Sequence, residues 1–207
     1  MLTACAMHIQ DRVIKLPQEV FERHADAYDD WFVVHREVYR AECERIREVL
    51  PAPDARSIEV GVGSGRFAAP LGIPLGIEPS LSLGRMARLR GIEVIGGVGE
   101  SLPFKDGSCS SVLMVTVICF FDDPARAFAE AYRVLVPGGV LVVGFLERGG
   151  RVIQAYLHGD EAHRFLSQGR FFISVEVQAL LRDAGFSIRS AETENEFSVI
   201  VAEKKTI

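Results

Sequence analysis

The sequence predicts an α/β fold: a doubly wound, mostly parallel sheet of seven strands, the last antiparallel, with helices ahead of it. Three observations carry this expectation. From Arg56 onward, short β-branched runs alternate with helical patterns, the rhythm of βαβ units. Those runs, at 57–60, 74–77, 93–95, 112–117 and 140–145, are apolar rather than cleanly alternating, as strands covered on both faces are. Residues 186–191 and 197–203 then read as a closing hairpin at the sheet edge.

The first fifty residues read as helical. A polar helix is predicted over 17–26, with Pro17 tolerated in its first turn. The aromatic patch Tyr28-Asp29-Asp30-Trp31-Phe32 follows. Over 35–50 the residues Val38, Ile46, Val49 and Leu50 recur at helical spacing, and Pro51 and Pro53 end that helix. Helices are also predicted over 80–90 and 124–135, the latter closed by a Pro137-Gly138-Gly139 turn. Beyond Gly150 two more are expected, over 153–167 and 174–183, the second capped by Ser174 and ended at Ala184-Gly185. The organisation expected is a helical cap over 1–50 and an α/β domain over 51–207, with 150–173 as a lid insert, all in one compact unit.

Composition narrows the function. The formal charge of -5 and the absence of a long Lys/Arg cluster argue against a nucleic-acid partner, which would demand a basic face. Cys5, Cys43, Cys109 and Cys119 are scattered, with no metal-ligand or disulfide-framework spacing. No run of about 18 apolar residues suggests a transmembrane helix. Residues 1–10 lack the basic-then-apolar layout of a signal peptide, so cytoplasm is the expected location.

The strongest chemical signal is Glu59-Val60-Gly61-Val62-Gly63-Ser64-Gly65-Arg66-Phe67, directly after a predicted strand. Alternate glycines let the backbone turn sharply and approach a ligand, and a following helix presents free N–H groups. A dinucleotide fingerprint places its third glycine one position later, where this chain has Arg66, and the Gly-Lys-Ser/Thr of a phosphate loop is absent. The second signal is Glu78 in Gly76-Ile77-Glu78-Pro79-Ser80, at the end of the next strand. An acid about twenty positions beyond such a loop can accept hydrogen bonds from both hydroxyls of a ribose. A structural strand-to-helix turn is the lesser reading of the loop, and Glu78 taken alone reads equally as a helix N-terminal residue stabilised by the dipole. Ser64 is off-centre for a nucleophile elbow, which disfavours a hydrolase.

With these residues the chain resembles the class I S-adenosylmethionine-dependent methyltransferases, in particular the small-molecule, type 11-like branch that includes quinone-biosynthesis C-methyltransferases. Glu59 to Gly65 is similar to the family's E/D-x-G-x-G-x-G loop, and Glu78 falls at its ribose-binding acid. Gly99-Glu100-Ser101-Leu102-Pro103-Phe104 resembles the A-E-x-L-P-F segment, and Arg133 to Gly139 the R-V-L-K-P-G-G turn. The resemblance implies a Rossmann-like sheet and S-adenosylmethionine as cofactor. It implies that Glu59, Gly61, Gly63 and Gly65 hold the methionine end, Glu78 and Pro79 the ribose, and Gly99, Glu100 and Ser101 the adenine. Thr116 would approach from the fourth strand, and Tyr28 would cover the cofactor from the leading helix.

The chain departs from the pattern in places. Val98 stands where many relatives carry the Asp that contacts the adenine amine, and Cys119-Phe120 stands where a His is often seen. The segment between Gly65 and Leu75 leaves about two turns for the first core helix. The expected acceptor is a small molecule in an apolar or aromatic pocket, drawn from Tyr28, Trp31, Phe32 and Tyr39 and from the 150–173 insert. Holding the acceptor in line with the methyl group can supply much of the catalysis, roughly 7–11 kcal/mol in favourable models. If a general base is needed, His158 and His163 are the candidates, and no metal site is readable. Methylation of protein or RNA, and a non-catalytic S-adenosylmethionine-binding regulatory module, stand as alternatives. Oligomeric state is not written in the sequence.

Overall fold

The computed structural model describes residues 16–151, 153–154, 163–166 and 169–206. Seven strands form one sheet in the order β3-β2-β1-β4-β5-β7-β6. They are β1 Ser57–Val60, β2 Leu75–Ile77, β3 Glu93–Ile95, β4 Cys109–Val115, β5 Leu135–Leu146, β6 Phe186–Glu194 and β7 Phe197–Lys204. Strands β1 to β5 pair in parallel, while β7 runs antiparallel to both β5 and β6. The described helices are α1 Leu16–Arg23, α2 Ala25–Val34, α3 Arg36–Val49, α4 Ala68–Leu71, α5 Leu81–Leu89, α6 Pro124–Val134, α7 His163–Leu166 and α8 Ser174–Asp183.

The apolar runs of the strands follow from burial on both faces. Ile58, Val60, Val112, Met114, Leu141 and Val143 belong to one core cluster, with Phe128 and Ala131 of α6 and Val177 and Leu181 of α8. The intervening Leu113, Val115 and Val142 belong to the other, with Ile46 of α3 and Ala87 of α5. Side chains of consecutive strand residues point to opposite faces, so a strand with two cores needs apolar residues at every position.

Several local expectations are corrected. The leading helix does not run over 17–26: it breaks at His24 (φ -127, ψ 33), and the aromatic patch forms a helix of its own, α2. A second break at His35 separates α2 from α3. The first core helix, α4, is a single turn ended by Gly72 at φ 79. Strand β4 stops before Thr116, whose φ of 48 cannot continue a strand. The Pro137-Gly138-Gly139 turn is absorbed into β5 as a bulge, because the register jumps from Cys109↔Leu135 to Ser111↔Val140. Helix α8 is capped from Ile173: the Glu176 carboxylate accepts the Ile173 N–H at 3.1 Å, and Ser174 lies inside the helix. The β6–β7 hairpin turns on Asn195 and Glu196, both at positive φ, as a two-residue turn with the twist of the strands requires. Among the described residues no helix is long and apolar enough to cross a membrane.

Candidate functional site

Strand order reverses between β1 and β4, and in open α/β sheets ligands bind beyond the carboxyl ends of strands at such a reversal. A cavity of about 860 Å³ opens there. Its walls come from the turns after β1 (Gly61, Gly63), β2 (Glu78, Pro79, Ser80), β3 (Gly96 to Ser101) and β4 (Thr116, Val117), with Gln18, Phe21, Glu22 and Tyr28 from α1 and α2. Leu81, Leu83, Val115, Phe120 to Asp123 and Arg126 complete it. The volume is in the range of small-molecule and cofactor sites.

The turn after β1 is shaped by backbone bonds. The N–H groups of Gly61 and Val62 both donate to the Ile77 carbonyl, at 2.8 and 3.1 Å, so the loop folds over the end of β2. Gly61, at φ 72, lies so close to Val117 that an added Cβ would sit 2.2 Å from its Cγ2. A Cβ on Gly63 would sit 3.3 Å from the Tyr28 hydroxyl. The third glycine serves packing instead: Gly65 faces Ala87 of α5 and does not line the cavity.

Glu78 is buried and faces the cavity. Its Oε2 accepts the Gly63 N–H and its Oε1 the Ser80 N–H, each at 2.9 Å. A carboxylate has about four acceptor positions, so each oxygen keeps one for a ligand. Burial pushes its pKa up to about 7, against the two backbone donors, with the charge of Glu22 adding to the rise. Glu59 lies beneath the loop, outside the cavity lining, and its Oε2 is buried without a hydrogen-bond partner among the described residues. Burial, helped by the Glu78 charge, holds it well above the usual carboxylate range. Burial also raises the Tyr28 phenol, and the nearby Glu78 and Glu59 raise it further, so Tyr28 is protonated and can donate a hydrogen bond.

The far end of the cavity is organised by Glu100. Its Oε1 accepts the backbone N–H of Asp122 at 2.8 Å and of Asp123 at 3.4 Å, and Arg126 Nε donates to its carbonyl at 2.9 Å. Its carboxylate therefore ties the 98–101 turn to the start of α6. Gly99 is needed because a Cβ there would meet the Phe121 ring at 2.6 Å.

Of the residues expected to hold the cofactor, Tyr28, Gly61, Gly63, Glu78, Pro79, Gly99, Glu100, Ser101 and Thr116 share this one cavity, while Glu59 and Gly65 stand behind its wall. His158 lies outside the described residues. His163 begins α7, and its side chain also lies outside them. Sequence reasoning missed Glu22, which lines the cavity and accepts from Ser80 Oγ and Ser82 Oγ, both at 2.7 Å, and from Ser82 N–H at 3.0 Å. Burial opposes ionisation of Glu22, but these bonds outweigh it and hold its carboxyl below the usual range. The two serines at the start of α5 were the available signal, since they offer donors at a helix N-terminus.

Thr116 also walls a second, small hollow of about 20 Å³. Its other walls are apolar: Ile118, Cys119, Phe145, Leu146, Leu166, Phe171 and Phe172. A β-branched residue at φ 48 is strained, a state held only where the surroundings fix it, often at functional sites.

Residues 58–143 match the family model described as a methyltransferase domain. The solved structure of an S-adenosylmethionine-dependent methyltransferase from Thermotoga maritima, described as a possible histamine N-methyltransferase, superposes with a TM-score of 0.83 at 40% identity. That match covers 90% of this chain and 99% of that one. An uncharacterized protein of Methanocaldococcus jannaschii is 35% identical over 175 residues, 84% of each chain. An uncharacterized protein of Mycobacterium tuberculosis is 37% identical over 169 residues, 80% of this chain, which spans 59% of the mycobacterial protein. The loop and the acid beyond β2 lie within residues 58–143, and the chain belongs to the S-adenosylmethionine-dependent methyltransferases.

Proposed function

We propose that this enzyme methylates a small, largely apolar acceptor, with S-adenosylmethionine in the 860 Å³ cavity and the acceptor entering beside Thr116. When bound, the cofactor supplies an electrophilic methyl group on a sulfonium. The cavity fits that cofactor on three counts. Gly61 and Gly63 form a cradle that a Cβ would fill, Glu78 keeps open acceptor positions, and the Tyr28 hydroxyl stands over the loop at Gly63. In this reading Glu78 and Pro79 hold the ribose, and Gly99, Ser101 and Phe121 flank the adenine. Glu100 fixes the adenine turn, and Gly61 and Gly63 receive the methionine end, with Glu59 beneath them. Tyr28 closes that end, and α1 with the start of α2 serves as its cover.

The observation that carries the acceptor class is the apolar wall beside Thr116 in the 860 Å³ cavity, made by Val115, Val117 and Phe121. An apolar wall favours an apolar body and charges a desolvation cost for a strongly polar one. Phe21, Tyr28 and Phe120 extend the same character on the cofactor side, with Phe21 5.4 Å from Tyr28 and 5.1 Å from Phe120 between ring centroids. A small acceptor accords with the naming of the Thermotoga relative as a possible histamine N-methyltransferase.

Two measurements test this. Incubation with methyl-labelled S-adenosylmethionine and cell extract is expected to put label into solvent-extractable small molecules; label confined to acid-precipitable RNA or protein contradicts the reading. Phe120→Ala, which removes an aromatic part of that wall, is expected to lower turnover of the identified acceptor at least about tenfold while cofactor affinity stays within about twofold. Unchanged turnover would move the acceptor elsewhere.

A further inference from the structure

Asp29 of α2 follows Tyr28, and Arg66 follows the last glycine of the loop. The two are joined by a fork: Arg66 Nε donates to Asp29 Oδ1 at 2.9 Å and Nη2 to Oδ2 at 2.6 Å. Arg90, at the end of α5, donates to the same Oδ2 at 2.8 Å and to the Ser64 carbonyl at 2.7 Å. Tyr39 of α3 donates its hydroxyl to the Arg66 carbonyl. The ionic side chains are largely buried, with 13% of Asp29, 22% of Arg66 and 27% of Arg90 exposed. Burial works against the Asp29 charge, but the hydrogen bonds from the arginines prevail and bring its pKa down to about 2.

Such a trio is an uneconomical way to gain stability, because desolvating three charges offsets most of their attraction. A bidentate guanidinium–carboxylate pair instead fixes geometry. The geometry fixed here joins α2, the glycine loop and the end of α5. It seats Tyr28 against Gly63, where the hydroxyl is 3.3 Å from the position of an added Cβ. We infer that Asp29, Arg66 and Arg90 are positioning residues that lock Tyr28 over the glycine loop and so hold the methionine end of the cofactor cavity closed. This rests on the placement of the cofactor proposed above.

The test is a double-mutant cycle read by binding of S-adenosylhomocysteine to the full chain, with dissociation followed by stopped flow. Asp29→Asn is expected to weaken binding about tenfold, mainly through faster dissociation, and Tyr28→Ala by a similar or larger factor. Because Asp29 acts through Tyr28, the double variant should stay within about twofold of Tyr28→Ala alone. Arg66→Lys, which keeps the charge but loses the fork, should fall between wild type and Asp29→Asn. Surface-pair variant Arg148→Ala is the control for unspecific loss of charge. A merely structural trio lowers the melting temperature without this non-additivity. Losses that multiply, or binding within about twofold of wild type in Asp29→Asn, overturn the lock. Full binding in Tyr28→Ala overturns both the lock and the cofactor placement, whereas weak binding there beside intact binding in Asp29→Asn removes the lock alone. If Asp29→Asn does not fold, Arg66→Lys combined with Tyr28→Ala gives the same cycle.

Discussion

Glu78→Ala is expected to weaken S-adenosylmethionine binding by at least about 100-fold. Two hydroxyl hydrogen bonds to a charged acceptor are worth roughly 1.5–3 kcal/mol each. Their joint loss corresponds to a factor between about 10² and 10⁴. The same substitution leaves the N–H groups of Gly63 and Ser80 without their acceptor, so the loop loses its shape before any ligand arrives. Calorimetry on folded protein measures this directly, and an affinity within about threefold of wild type would contradict the ribose assignment.

The same carboxylate makes binding depend on pH, and the sign follows from its burial. With a pKa of about 7 in the free protein, Glu78 is increasingly protonated as pH falls below neutrality. Ribose hydroxyls donating to it favour the ionised form, so its pKa drops on binding and a proton is released. Affinity is therefore expected to be level above about pH 8 and to fall by up to about tenfold per pH unit below pH 7. Glu78→Gln should bind weakly with no such slope. Titrations in two buffers of different ionisation enthalpy count the released proton.

Gly61→Ala is the second variant with a large expected effect. The residue sits at φ 72, where a side chain costs about 1–2 kcal/mol, and the new Cβ would stand 2.2 Å from Val117 Cγ2 and 2.8 Å from its Cβ. Either the loop or the Thr116–Val117 segment must move, and both line the cavity. Cofactor affinity is expected to fall about 100-fold, with the melting temperature lower by several degrees. Val117→Ala in the same chain should restore part of the loss, since it removes the clash but not the strained φ. Gly72→Ala supplies the contrast: it has a similar φ of 79 but open space around the added Cβ. Stability should fall by about 1 kcal/mol there while cofactor affinity is unchanged. Equal effects at the two glycines would show that close approach at Gly61 has no bearing on binding.

What could be read from the sequence follows the range of the interactions concerned. The sheet was legible because its strands carry apolar residues at successive positions. The loop and Glu78 were legible because a tight turn, and the acid that accepts its backbone N–H groups, restrict residue type locally. The break at His24, the capping of α8 from Ile173 and the Pro137–Gly139 bulge were not, since each depends on what packs or pairs alongside. The Asp29 lock joins residues 37 and 61 positions apart in sequence, and Glu22 reaches Ser80 across 58. Charged residues on helices read as solvated faces until the tertiary fold brings their partners together. Glu100 illustrates the reverse: its place at the cavity after β3 was legible, but not that its carboxylate is engaged by the N–H groups of Asp122 and Asp123.

The most direct test of the cofactor assignment is a crystal structure with S-adenosylhomocysteine. The predicted result is the ligand in the 860 Å³ cavity, with both ribose hydroxyls on the Glu78 carboxylate, the adenine between Gly99 and Phe121, and Tyr28 over the amino-acid end. A ligand bound elsewhere, or one seated in the cavity with its ribose away from Glu78, would contradict the account.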